Sequence, residues 1–185
     1  MLKFITARDH TLMRRLNRWQ APRWVRVWMI LATRAGDGWL WTAVAVMILL
    51  YGDENRFRAV GAGAIAVASG VAIFLTLKKA AHRRRPSCFE PHCWATLLPP
   101  DQFSFPSGHT ITAFAVAITL SHYYPELGIG LMFCALSVAA SRILLGMHFL
   151  SDVIAGAVIG VLLALAARAL LPAAPPVMPA LVLLP

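Results

Sequence analysis

The sequence predicts an all-α, polytopic membrane protein of about six transmembrane helices packed as a single bundle. Three observations carry that prediction. Of its 185 residues, 59% are hydrophobic and 14% charged, against the roughly 25% charge usual in soluble domains. The apolar residues fall in runs of bilayer length, which takes about 20 residues and at least about 17. Polar turn signals separate the runs, and no internal repeat or composition break marks a second domain, so residues 1–185 read as one unit.

A basic segment, 1–23, opens the chain. It carries Lys3, Arg8, Arg14, Arg15, Arg18 and Arg23, with Arg26 just beyond, against one acid, Asp9. Ahead of an apolar run, such a cluster reads as a topology signal rather than a nucleic-acid patch, so the bilayer is the expected partner and nucleic acid is not. The start lacks a compact apolar core followed by a small-residue cleavage site, and no signal peptide is expected. Residues 24–33 form a short run that crosses only if its helix begins in the amphipathic stretch before it; otherwise it lies on the membrane surface. Residues 38–51 are also short, but Trp39, Trp41 and Tyr51 bound them as an interfacial belt would. The runs 59–77, 107–124, 127–145 and 149–171 are long enough to span. Ala-Gly-Asp-Gly at 35–38, Gly-Asp-Glu-Asn at 52–55 and Pro125 mark turns. Gly156 and Gly160 form a G-x-x-x-G face for close helix packing.

The longest connection, 80–106, is too long for a turn and reads as a functional loop. Its Cys88 and Cys93 would pair if that side is oxidising. Its aromatics, among them Phe89, Trp94, Phe103 and Phe105, suit a membrane interface. The Pro-rich end, 172–185, reads as an irregular tail.

Charged residues beside membrane spans are costly and usually functional. Here they form three groups: "KKAAHRRRP" (78–86), "PSGH" (106–109) and "SRILLGMHFLSD" (141–152). The first ends one span and the second begins the next. A helical hairpin then returns the chain to the third, so all three share one membrane face. With the N-terminal basic residues counted on the opposite face, that face carries ten lysines and arginines against seven. The positive-inside rule then puts the groups on the outer side: an inner (cytoplasmic) membrane protein with its site facing the periplasm or outside.

Chemically, the groups suit an anion with several oxygens. Arginine forks match phosphate bidentately and lysine adds a point charge. A helix opening at Ser107-Gly108 offers free N–H groups and a favourable dipole. His148 and Asp152 are spaced i, i+4, so the carboxylate is expected to hold one ring nitrogen and leave the other as nucleophile. His109, from another helix, is placed to act as general acid. No metal or other cofactor is needed.

These three groups resemble the signature of the type 2 phosphatidic acid phosphatase family, K-x6-R-P, P-S-G-H and S-R-x5-H-x3-D, at every fixed position. The resemblance covers residues 78–152 and implies a six-helix membrane lipid phosphatase working through a phosphohistidine. His148 would attack phosphorus, Asp152 orient it, and His109 protonate the leaving group. Lys78, Arg85, Ser107, Gly108 and Arg142 would hold the phosphoryl oxygens. Undecaprenyl diphosphate or phosphatidylglycerol phosphate is the expected substrate. A lipid A 1-phosphatase, a vanadium-haloperoxidase-like protein and a non-catalytic lipid-phosphate binder are the alternatives. Lys79, Arg83 and Arg84 read as interfacial anchors.

Overall fold

A computed structural model describes residues 2–89 and 102–174. Seven α-helices follow in order: α1 (Leu2–Arg18), α2 (Arg23–Ala35), α3 (Trp39–Tyr51), α4 (Arg56–Ala81), α5 (Gly108–Tyr123), α6 (Gly128–Leu144) and α7 (Leu150–Leu170). No named strand occurs among the described residues. Cys93, Trp94 and most of the tail lie outside them, so the expected disulfide and part of the aromatic loop do too.

Helices α3 to α7 run alternately between two ends of the bundle. At the far end, Tyr124 Oη donates to Asp53 Oδ1 (2.9 Å), and Ala174 N donates to Asn55 Oδ1 (2.7 Å). These bonds tie together the α3–α4 turn, the α5–α6 turn and the segment after α7. Among the described residues, three helical segments are long and apolar enough to cross a membrane: Arg56–Ala81, Pro125–Leu144 and Leu150–Leu170. Their outward faces carry exposed apolar side chains such as Ile65, Val71, Leu75, Ile154, Val158 and Leu162. In water these would form a large apolar patch; in a bilayer they meet lipid. Trp39 and Tyr51 point outward at opposite ends of α3, while Trp41 is buried.

Helix α5 has 16 residues and is the bundle's centre. Ala113, Ala115 and Ala117 are fully buried, and such small residues let α4, α6 and α7 close in around it. The G-x-x-x-G pair sets the closest approach. A Cβ at Gly156 would lie 2.8 Å from Ser107 O, and one at Gly160 2.6 Å from Ile111 O. The first turns of α5 and α7 are thereby pressed together, which brings the second and third sequence groups into register.

The N-terminal helices pack at the near end of the bundle. Helix α1 lies at the near end: Asp9 accepts bonds from Ser151 N (3.3 Å) and Ser151 Oγ (2.5 Å), at the start of α7. Both ends of α2 also lie there. Ala21 and Val25 pack on Leu145 and Met147, and Thr33 meets Arg142. One face of α2 is buried through Val25, Met29 and Ala32 while Trp24, Trp28 and Leu31 are exposed, as in a helix lying in an interface. The charge count changes with it. Fourteen of the chain's 17 lysines and arginines belong to the near end, and Arg56, Arg58 and Arg168 to the far end. With α1 and α2 counted there, the near end carries the larger share of the basic residues.

Candidate active site

The three sequence groups meet at the near end, around a cavity of about 470 Å³. Its wall includes six of the eight expected site residues: Lys78, Arg85, Gly108, His109, Arg142 and His148. Ser107 and Asp152 are fully buried and stand behind the wall.

The run Arg83-Arg84-Arg85 has three different fates, and local backbone explains them. Arg84 and Phe103 form an antiparallel β-bridge, flanked by Arg85 N to Gln102 O (3.2 Å) and Ser104 N to Arg83 O (2.7 Å). Extended backbone sends successive side chains to opposite sides. Arg83 and Arg85 therefore turn inward and Arg84 stays exposed. The same ladder delivers the Ser104 carbonyl to the site.

His148 precedes α7, held by its N–H on Arg142 O (3.0 Å). Its ring is 3% exposed. Nδ1 lies 2.6 Å from Ser104 O, and Nε2 lies 3.1 Å from Arg85 Nη1. A carbonyl only accepts and a guanidinium only donates, so both neighbours select one tautomer: Nδ1 carries the proton and Nε2 the lone pair. Burial first, then the Arg142 and Arg85 guanidiniums, hold its pKa well below the ordinary 6.5. The imidazole is neutral at physiological pH.

The expected His148–Asp152 bond is absent; Nδ1 and Asp152 Oδ2 are 3.9 Å apart. The i, i+4 rule applies within a helix, and α7 begins only at Leu150. Asp152 instead sits at the third position of α7, where Oδ2 accepts the Phe149 N–H (2.8 Å) and caps the helix start. Its other oxygen is paired with Arg83 Nη1 at 2.6 Å.

Arg83 was expected to be a surface anchor and is the centre of a network. It also donates to Ser151 Oγ (2.6 Å) and Asp9 Oδ2 (2.7 Å), and its guanidinium lies 4.3 Å over the Phe149 ring. Asp9 thus ties α1 to the backing of the site. Nothing in sequence spacing marks that tie, because Asp9 and Arg83 are 74 positions apart.

The remaining cations are spread around the wall. Arg142 Nη1 donates to Thr33 Oγ1 (2.5 Å), and Lys78 Nζ lies 4.7 Å over the Phe74 ring. Ser107 stands at the N-cap position of α5 without a side-chain capping bond; its hydroxyl accepts from Thr110 Oγ1 (2.9 Å), and its N–H donates to Asp152 O (3.1 Å). Across the cavity, His109 Nε2 lies 2.7 Å from Asp37 Oδ1, in the α2–α3 turn. Asp37 Oδ2 also lies 3.7 Å from Arg34 Nη1.

A family model described as the PAP2 superfamily matches residues 58–175. The chain is 34% identical over 124 residues to the decaprenylphosphoryl-5-phosphoribose phosphatase of Mycobacterium tuberculosis (strain ATCC 25618 / H37Rv), covering 66% of each. It is 29% identical over 138 residues to an undecaprenyl-diphosphatase of Sulfolobus acidocaldarius, covering 71% of this chain and 64% of that one. The match thus spans just under two thirds of these curated relatives. The crystal structure of Aquifex aeolicus LpxE superposes with a TM-score of 0.73 at 25% identity, over 86% of this chain and 93% of that one.

Proposed function

The chain belongs to the PAP2 superfamily, and from that premise we propose that it is an integral-membrane lipid phosphatase acting on the terminal phosphate of a lipid phosphate or diphosphate. The observation that carries this reading is His148, neutral and proton-bearing on Nδ1, with Nε2 directed to Arg85 at a cavity lined by Lys78 and Arg142.

In this account Lys78, Arg85, Arg142 and the Gly108 end of α5 bind the phosphoryl oxygens. Nε2 of His148 attacks phosphorus as the bond to the leaving oxygen breaks, and His109 gives that oxygen a proton. Water then attacks the phosphohistidine, His109 takes the water's proton, and the P–N bond breaks to release inorganic phosphate. Ser107 acts from the N-cap position, ahead of Gly108, and Asp152 acts through the start of α7. No step calls for a metal.

The cavity continues along α4 past Val67, Gly70 and Val71, an apolar wall suited to the first part of a lipid tail. The names of the two relatives favour an isoprenoid-linked phosphate. Undecaprenyl diphosphate leads the expected substrates, with phosphatidylglycerol phosphate and lipid A 1-phosphate behind it. Phosphate release by purified protein in detergent, on these three lipids and phosphatidic acid with EDTA present, tests the reading. Release that persists under chelation supports it. Release that requires added metal, or none on any lipid from folded protein, counts against it.

For orientation we infer the reverse of the outward-facing site expected from sequence. With α1 and α2 at the near end, the basic majority favours a cytosolic site in a multi-pass membrane protein. In a background with all three cysteines replaced, Glu54→Cys at the far end should label with an impermeant maleimide in intact cells. Arg15→Cys on α1 should label only after permeabilisation; the opposite pattern returns the site to the outside.

A further inference from the structure

We propose that Asp37 is the positioning residue for His109, completing an Asp–His pair that readies the general acid. The inference rests on the phosphatase reading above. Asp37 Oδ1 lies 2.7 Å from His109 Nε2. Both residues line the cavity that holds His148, Arg85 and Arg142.

The turn is built to put the carboxylate there. Gly38 has φ +119°, a left-handed backbone that side-chain-bearing residues rarely adopt. Gly36 approaches so closely that a Cβ would meet Val138 Cγ1 at 2.9 Å and His109 Cδ2 at 3.3 Å. The Gly-Asp-Gly stretch thus folds tightly against α6 and the first turn of α5, with Asp37 at its tip.

The chemistry needs such a partner. A general acid must hold a proton on each ring nitrogen before transfer, yet Lys78, Arg85 and Arg142 line the same cavity. Their field opposes a charged imidazolium. The Asp37 carboxylate, accepting the Nε2–H, offsets that field and fixes the ring plane, leaving Nδ1–H for the leaving oxygen. On transfer the Nδ1 proton passes to the leaving alkoxide, and His109 keeps the Nε2 proton on Asp37. In the second step Nδ1 takes the proton back from the attacking water.

Asp37→Asn keeps the size and an accepting oxygen but removes the charge. On phosphatidic acid, whose alkoxide leaving group needs a proton, kcat/KM should fall about 100-fold, the low end of a general acid's contribution. On 4-nitrophenyl phosphate, whose leaving group departs unprotonated, it should change less than about 3-fold. In a His109→Ala background the same substitution should cost nothing further on the alkyl ester, and Asp37→Glu should recover part of the loss. Equal losses on both esters, or an undiminished effect without His109, would make Asp37 a structural residue. An unchanged alkyl-ester rate with active wild type would sink the inference and leave the phosphatase reading intact. Wild type silent on both esters and on every lipid of the panel above would remove that reading, and this inference with it.

Discussion

His148→Ala is expected to lower kcat by at least about 10⁴-fold, the scale seen when a nucleophile in a coupled catalytic unit is removed. The substitution deletes a group whose lone pair is fixed by opposing neighbours, the Ser104 carbonyl on Nδ1 and the Arg85 guanidinium on Nε2. Retained binding of inorganic phosphate by His148→Ala would show that the lost activity is not lost folding. The pH profile is a companion result. Burial and two guanidiniums depress the His148 pKa below 6.5, and the neutral ring is the active form. The acid limb of kcat/KM, which reports the free enzyme, should therefore lie below pH 6.5, with His148 fully competent above it. A limb above that value would contradict this assignment.

The second large effect belongs to a residue at a variable position of the first motif. Arg83→Met should destabilise the protein by about 3 kcal/mol, because it leaves the fully buried Asp152 without its ion partner. It also removes the tie between Asp9 of α1 and the start of α7. Arg84→Ala, one position along and exposed, should be within about 0.5 kcal/mol of wild type. Denaturation in detergent separates the two variants. Matching stabilities would mean that the Asp9–Arg83–Asp152 network contributes nothing.

That contrast shows where sequence reading ran out. The three motifs and the crossings that unite them were legible, because charge is costly beside a membrane span and each group has a distinctive spacing. The G-x-x-x-G pair was legible as a packing face for similar reasons. Arg83 was not, since its inward turn depends on a β-bridge to Phe103 after a long connection. The partner of His148 was missed as well: a backbone carbonyl leaves no mark in side-chain spacing, and Asp152 looked like the partner only because i, i+4 was applied across a helix start. Helix α2 is short and carries exposed Trp24, Trp28 and Leu31 beside its buried apolar face, so its sequence suits a surface helix as well as a span. In the fold, Val25 and Met29 share a buried apolar cluster with Leu145 and Met147. For Asp37 a signal existed, a lone acid between two glycines at a predicted turn, but the histidine it meets lies 72 positions away.

The most direct test of the central claim is to trap the phosphoenzyme. Protein mixed with substrate labelled with ³²P in the terminal phosphate would be quenched within one turnover, digested under alkaline conditions and mapped. An acid-labile, alkali-stable label on the peptide carrying His148, absent from His148→Ala, is the predicted result. Continued turnover with no label, or label on another peptide, would contradict His148 as the nucleophile.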